Sequence, residues 1–406
     1  MSQKSLQNYI PALTGVRAMA AYLVFISHFS YIFDGGFPHI FQRFFAEFHI
    51  GVSIFFVLSG FLITFRYYNS FHLTKEWFLQ YLKNRVARIY PMYFLLTVAA
   101  FVYYFATGDV KITKGSSHPV GLMFMNITFV RGFFYQYWDT GIAQGWSLTV
   151  EECFYFSAPI IFLIAKKYNK FYIQPVVITL FAIMMTFIFK DVNWHGFFGN
   201  YTFVLCFTFF GRCFEFFVGV QLARYVLKNG FTRTNKISFT YGGFIMIFVC
   251  VFIMALQKPI APWLAGLETP IGIITNNYVL CIMVAFFFYG ILTEETLFKK
   301  FLALPFIELL GKSSYIFYLI HLGWIYDVLL SNINKANDSI FEMYDKWQKD
   351  WISPFQNDTV NLILIFIVLN IISVTLFKLV EEPLNHYIRR SNFLVKYKPR
   401  PKGITD

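Results

Sequence analysis

The chain has 406 residues, of which 57% are hydrophobic, 22% aromatic and only 14% charged, with a mean hydropathy of +0.54. A soluble domain carries roughly a quarter charged residues, so the composition excludes a soluble globular protein and predicts an all-α, polytopic integral membrane bundle. The formal net charge of +12 would suit nucleic acid, yet the basic residues fall almost entirely between apolar runs, and no nucleic-acid partner is expected. Cys153, Cys206, Cys213, Cys250 and Cys281 lie in apolar stretches without CxxC or CxxxH spacing. Neither a metal site nor a disulfide framework is expected.

Apolar runs of about 17 to 25 residues read as membrane helices, and they place about ten spans. These lie near residues 12–32, 49–65, 89–106, 146–165, 172–189, 201–223, 239–256, 273–292, 306–330 and 360–380. The first run is too long for a signal-peptide core and no small-x-small site follows it, so it is expected to stay as a spanning helix. With the N-terminus inside, the inner segments carry most of the 34 Lys and Arg, from Lys4 through Lys75, Lys166, Arg224 and Lys299 to Lys402. Both termini are therefore expected in the cytoplasm. Residues 119–134 are apolar enough to tempt an eleventh span and are read as interfacial or re-entrant. Residues 331–359 form a polar outer stretch with Trp347 and Trp351. They suit either a carbohydrate surface or solvated cover anchored at the interface.

Ionisable residues inside such runs are costly and mark function by default. Arg17 and His28 are eleven residues apart on the first span. At 100° per residue they fall within about 20° of one helix face, about 16 Å apart along the axis. The bland alternative has Arg17 snorkelling to headgroups and His28 meeting an outer aromatic rim. Counting depth from span ends puts Arg17, Arg85, Arg88 and Lys312 at an inner level. The same count puts His28, Glu151, Glu152 and His321 at an outer one. A cationic inner mouth suits a phosphorylated cytosolic donor, and imidazole beside carboxylate suits acid and base work. Unrelated helix-to-helix hydrogen bonds are the competing account. Arg212 and Glu215, at i and i+3, are expected to form a structural pair, and Gly51, Gly60 and Gly219 to allow close helix approach. His39, His49, His72, His118, His195 and His386 lie at loops or span ends and receive no role.

Six strings in order then resemble the membrane acyltransferase 3 family, which includes O-acetyltransferases of bacterial surface polysaccharides. They are LTGVRAMAAYLVFISHF around Arg17 and His28, GVSIFFVLSGFLIT from Gly51, and RVARIYPMY with Arg85, Arg88 and Pro91. WSLTVEE from Trp146 to Glu152, SYIFYLIH ending at His321, and EEP at Glu381 to Pro383 follow. Thr149 and Cys153 depart from residues often found in the fourth string. The resemblance implies a transmembrane acyltransferase 3 domain over residues 1–392, with residues 393–406 as a basic cytoplasmic tail. It is expected to work without the extracytoplasmic hydrolase-like domain that some relatives append.

The same resemblance implies an acyl-CoA donor, usually acetyl-CoA, no permanently bound cofactor, and an acceptor hydroxyl on a surface polysaccharide or lipid-linked glycan. The expected location is the bacterial cytoplasmic membrane, among its lipids. The implied catalytic residues are His28, Glu151 and Arg17, with Glu151 orienting His28. Arg85, Arg88 and Arg17 would hold the acyl-CoA phosphates, and Trp146, Ser147 and His321 are acceptor or oxyanion candidates. A secondary transporter and a non-catalytic glycan-binding subunit are the readings from other classes. Against the transporter, the sequence shows no paired Gly/Pro-broken helices.

Overall fold

A computed structural model describes residues 9–33, 38–168, 170–192, 194–231, 238–257, 266–345 and 357–396. Among these residues the chain is helical, with one isolated bridge between Phe134 and Phe197 in place of any strand. Lys4, Arg233, Lys236, Lys258, Lys346, Lys349, Trp347, Trp351 and residues 397–406 lie outside the described residues.

The main helices are α1 (Pro11–His28), α2 (Gly51–Tyr67), α3 (Lys75–Thr107), α4 (Trp146–Tyr168), α5 (Ile173–Phe189) and α6 (Phe209–Asn229). They continue as α7 (Phe239–Ala255), α8 (Cys281–Thr293), α9 (Pro305–Ile320), α10 (Trp324–Asp345), α11 (Asp358–Leu376) and α12 (Glu382–Arg390). Every predicted run is helical. Six described stretches are long and apolar enough to cross a membrane, or seven if α9 and α10 count as one bent span, and α5 and α7 are shorter apolar helices. The protein is thus a multi-pass membrane protein, and ten crossings are more than length and apolarity establish.

Two departures from the sequence reading have local causes. The ninth run is not one helix: α9 and α10 meet at 84°, and Gly323 takes the left-handed φ of +82° that such a corner needs. α10 then runs on to Asp345, so the first half of the expected polar loop is helix. The third span begins fourteen residues early. Thr74 caps α3 by accepting from the Trp77 amide at 3.2 Å, Glu76 sits in the first turn, and Gly108 closes the far end at φ +71°. At 33 residues and about 1.5 Å each, α3 is longer than a bilayer core, and Arg85 and Arg88 lie well inside it. Residues 119–134 hold a nine-residue helix, Pro119–Ile127, about 14 Å long and too short to span.

Two prolines sit inside helices, Pro91 in α3 and Pro159 in α4. Each removes the amide that would bond the carbonyl four residues earlier, and where water is scarce that carbonyl needs another donor. Asn385 Nδ2 of α12 donates to the Ala87 carbonyl at 2.9 Å, and the Tyr81 hydroxyl donates to the Tyr155 carbonyl at 2.9 Å. The prolines therefore pin α12 to α3 and α3 to α4. α2 and α6 pack backbone to backbone, so that a Cβ at Gly60 would overlap the Phe216 carbonyl and one at Gly219 the Val57 carbonyl; Gly51 meets Ala20 of α1 the same way.

The expected Arg212 and Glu215 pair forms at 2.9 Å, fully buried. It also has a structural task. The helix entering α6 breaks at Thr208, whose backbone is extended, and Arg212 Nη1 donates to the freed Cys206 carbonyl at 2.9 Å. Arg212 Nη2 reaches Ser53 at 3.0 Å, while Asn277, on a π-helical turn before α8, caps the Leu205 carbonyl at 2.9 Å. With the corner at Gly323, this is one of two places where a long apolar run is interrupted, and the two are not a matched Gly/Pro pair.

Candidate active site

A cavity of about 120 Å³ lies between α1, α2, α3, α4 and α9, lined by Arg17, Ser59, Arg85, Arg88, Ser147, Glu151, Tyr155, Tyr315 and Tyr318 among apolar side chains. At about 30 Å³ per water it has room for roughly four waters or a small acyl group. Sites that enclose a drug-sized ligand run to roughly 300–1,000 Å³, so a whole nucleotide does not fit inside.

The three arginines differ in what holds them. Arg88 is ion-paired with Glu381 at the junction of α11 and α12; Glu381 is 2% exposed and Arg88 24%. Among the described residues Arg85 has no carboxylate in ion-pair contact, although Glu152 lies within its electrostatic reach. Its Nη2 donates to the Tyr67 hydroxyl at 3.3 Å, and its guanidinium lies 5.5 Å from the Tyr67 ring and 5.7 Å from the Tyr155 ring. Arg17 makes no hydrogen bond or ion pair among the described residues, although Arg88, Glu381, Glu151 and Tyr155 lie within its electrostatic reach. A partly buried guanidinium left unbonded over a cavity has donors free for an anion.

Glu151 belongs to this cavity and not to an outer layer with His28. It accepts from the Ser59 hydroxyl, and the Tyr155 hydroxyl also reaches both groups. The two-level reading is corrected here: in a low-dielectric bundle the carboxylate is drawn to where guanidinium groups gather. Ser147 lines the same cavity, donating to the Gln144 carbonyl at 3.0 Å and accepting from the Tyr318 hydroxyl at 2.8 Å. Trp146 points elsewhere, packing on Phe207 and Trp138 at 5.0 and 6.1 Å.

Tyr318 joins this cavity to the histidines. Its ring lies 5.6 Å from that of His321, which lies 5.4 Å from that of His28. His321 is fully buried at the end of α9. Its Nδ1–H donates to the Tyr318 carbonyl at 2.8 Å, which leaves Nε2 as the lone-pair nitrogen, buried and without a partner. His28 is exposed at the end of α1, outside the cavity lining, with its ring turned to His321 and so to the protein. The structure thus brings His28 to His321, and Glu151 to Ser59, but not Glu151 to His28.

Several residues of the site were not singled out from sequence. Tyr318 lies three residues before His321, one turn away on the same face, a spacing that could have marked it. Glu381 was read only as part of a string. His49, given no role, lies within electrostatic reach of His28 and 3.6 Å from buried Glu47. Arg131, counted only as a loop charge, is fully buried and donates to the carbonyls of Trp138, Thr140 and Ile142. It gathers the loop that delivers Gln144 and Ser147.

Residues 10–378 match a family described as Acyltransferase domain. Relatives include O-acetyltransferase OatA of Staphylococcus aureus, 24% identical over 77% of this chain and 50% of its own length. Acyltransferase MdmB of Streptomyces mycarofaciens is 28% identical over 39% of this chain and 40% of its own. Peptidoglycan O-acetyltransferase OatA of Listeria monocytogenes is 28% identical over 40% and 26%. The chain spans about half the length of the Staphylococcus aureus relative. No solved structure matches it. With the match running through nearly all of the helices that frame the cavity, the chain belongs to the acyltransferase 3 family.

Proposed function

We propose that this protein is an O-acyltransferase that moves an acyl group, acetyl in the first instance, from cytosolic acyl-CoA to a hydroxyl of a cell-surface glycan or glycolipid. The observation that carries the reading is Arg17, a guanidinium with no bonded partner among the described residues, over a cavity sized for an acyl group inside a member of the acyltransferase family. The relatives named O-acetyltransferases, one of them a peptidoglycan O-acetyltransferase, support an acceptor of the glycan class. Peptidoglycan, O-antigen, lipopolysaccharide and capsule all belong to it.

In this reading the bulk of the donor stays outside the cavity with its phosphates against Arg85 and Arg17, and only the thioester end enters. Arg88 keeps its pair with Glu381 and shapes the passage. The acceptor arrives on the exposed side of His28. The acceptor oxygen attacks the thioester carbonyl while its proton passes to the His28 imidazole. The C–S bond then breaks, and the coenzyme A thiolate leaves and takes up the proton. A two-step route through an acyl-histidine balances equally. The lone pair of His321 Nε2 orients His28 or the acceptor hydroxyl, and Ser147 with Tyr318 stabilises the developing oxyanion. Both termini cytoplasmic and a bacterial cytoplasmic membrane complete the proposal.

Purified protein with labelled acetyl-CoA and a surface glycan tests this. The enzyme releases free coenzyme A in step with acylated product, and His28→Ala abolishes release without loss of folded protein. The breaks at Thr208 and Gly323 also suit a transporter, which uses interrupted helices at its site. A transporter or a glycan-binding subunit releases no coenzyme A, and full release by His28→Ala removes the mechanism.

A further inference from the structure

On another face, α5, α6, α7 and α8 enclose an open groove of about 460 Å³. Phe171, Tyr172, Phe217, Val218 and Phe286 are among its lining, which contains no charged side chain and has Gln221 as its amide. The volume lies in the range of about 300–1,000 Å³ typical of ligand sites. Tyr172, Tyr225 and Phe286 are exposed along it, so the groove opens sideways, toward bilayer rather than water.

The rim is cationic in a specific way. Gln221 Oε1 accepts from Arg224 Nη1 at 3.2 Å, which ties the guanidinium to the groove. That guanidinium lies 4.7 Å over Phe171, itself a lining residue, and 5.7 Å over Tyr68. Lys166 Nζ lies 4.9 Å from the same Tyr68 ring. Two cations thus share one aromatic ring, and among the described residues neither is paired with a carboxylate. With no carboxylate on either, both are open to the oxygens of an anion at the groove's rim. The carboxylate nearest the groove's far corner, Glu294, is already occupied by the hydroxyls of Ser238 and Thr240 and the amide of Phe239.

We infer that this groove holds one anionic phospholipid of the surrounding leaflet, its acyl chains against α5, α6 and α8 and its phosphodiester on Arg224 and Lys166. The apolar walls alone would accept any lipid. The paired cations select a net-negative headgroup, and at about 1 kcal/mol for each basic residue near the membrane surface the preference is on the order of thirtyfold. The site stands apart from the acyl-transfer cavity and does not depend on the function proposed for it.

The test is delipidated protein in detergent, titrated with phosphatidylglycerol or with phosphatidylcholine of the same chains, and read by thermal unfolding and native mass spectrometry. Phosphatidylglycerol should raise the unfolding midpoint, remain bound as one molecule, and bind about thirtyfold more tightly than phosphatidylcholine. Arg224→Gln with Lys166→Gln should erase that difference while leaving the lipid-free midpoint unchanged. Val218→Trp, which fills the groove, should weaken both lipids. Equal binding of the two lipids, a full phosphatidylglycerol effect in the double variant, or the same shift from inorganic phosphate alone would each overturn the assignment.

Discussion

Replacing Arg17 by alanine and replacing Glu381 by alanine should give opposite results, although both residues belong to one electrostatic cluster. Among the described residues Arg17 has no bonded partner to strand, and its removal only enlarges a cavity that already exists. Stability should therefore change by less than about 1 kcal/mol, while a charge-assisted contact to a ligand, worth about 1.5–3 kcal/mol, is lost. That corresponds to a fall of about 10- to 150-fold in kcat/KM. Glu381 is the buried half of an ion pair, and removing it leaves the Arg88 guanidinium uncompensated. Breaking a fully buried pair costs about 3–5 kcal/mol. Arg88 retains access at the cavity mouth, so about 3 kcal/mol is the expectation. Coenzyme A release from labelled acetyl-CoA and thermal unfolding in the same detergent measure the two effects. If Arg17→Ala retained full kcat/KM, or unfolded as early as Glu381→Ala, the reasoning from unpaired and paired guanidinium groups would be wrong.

Arg131→Met should lower the unfolding temperature severely, by more than about 3 kcal/mol of stability, since three inward carbonyls lose their only charged donor; a midpoint like the parent's would show that the loop holds itself. Asn385→Leu should cost about 1–3 kcal/mol by stranding the Ala87 carbonyl beside Pro91, whereas the same change in a variant carrying Pro91→Ala should cost much less, a coupling that a double-mutant cycle reads directly. Glu294, in the loop after α8, is pushed up by burial and pulled down further by the hydroxyls of Ser238 and Thr240 and the amides of Phe239 and Thr240, for a net pKa below the ordinary carboxylate value. Its folded pKa being depressed, its contribution is full above about pH 4.3 and fades as pH falls below that. Glu294→Gln should therefore unfold earlier than the parent at pH 7, with the gap steady down to about pH 4.3 and narrowing below it; a gap independent of pH would contradict the assignment.

The helices were legible because apolar runs bounded by Lys, Arg, Gly and Pro report burial in lipid directly, and Arg17 with His28 stood out because both are costly there. Depth within the bundle was not legible. Counting from span ends assumes straight, unbroken helices, yet α3 starts fourteen residues early and α9 turns at Gly323, so Glu151 was placed beside the histidines when it lies among the arginines. Partners far apart in sequence escaped for another reason. Asn385 for the carbonyl left by Pro91 and Glu381 for Arg88 are separated from their targets by nearly three hundred residues, and no local spacing records such a meeting. What sequence does contain is the demand: an internal proline frees one carbonyl, and an intramembrane arginine needs one anion. Counting those demands against the donors and carboxylates in the fold leaves Arg88 and Arg212 satisfied by protein and Arg85 cushioned by tyrosine rings. Among the described residues Arg17 alone of these four has neither a hydrogen bond nor an ion pair from the protein. In the function proposed above, the donor's phosphates would supply the partner that the protein does not.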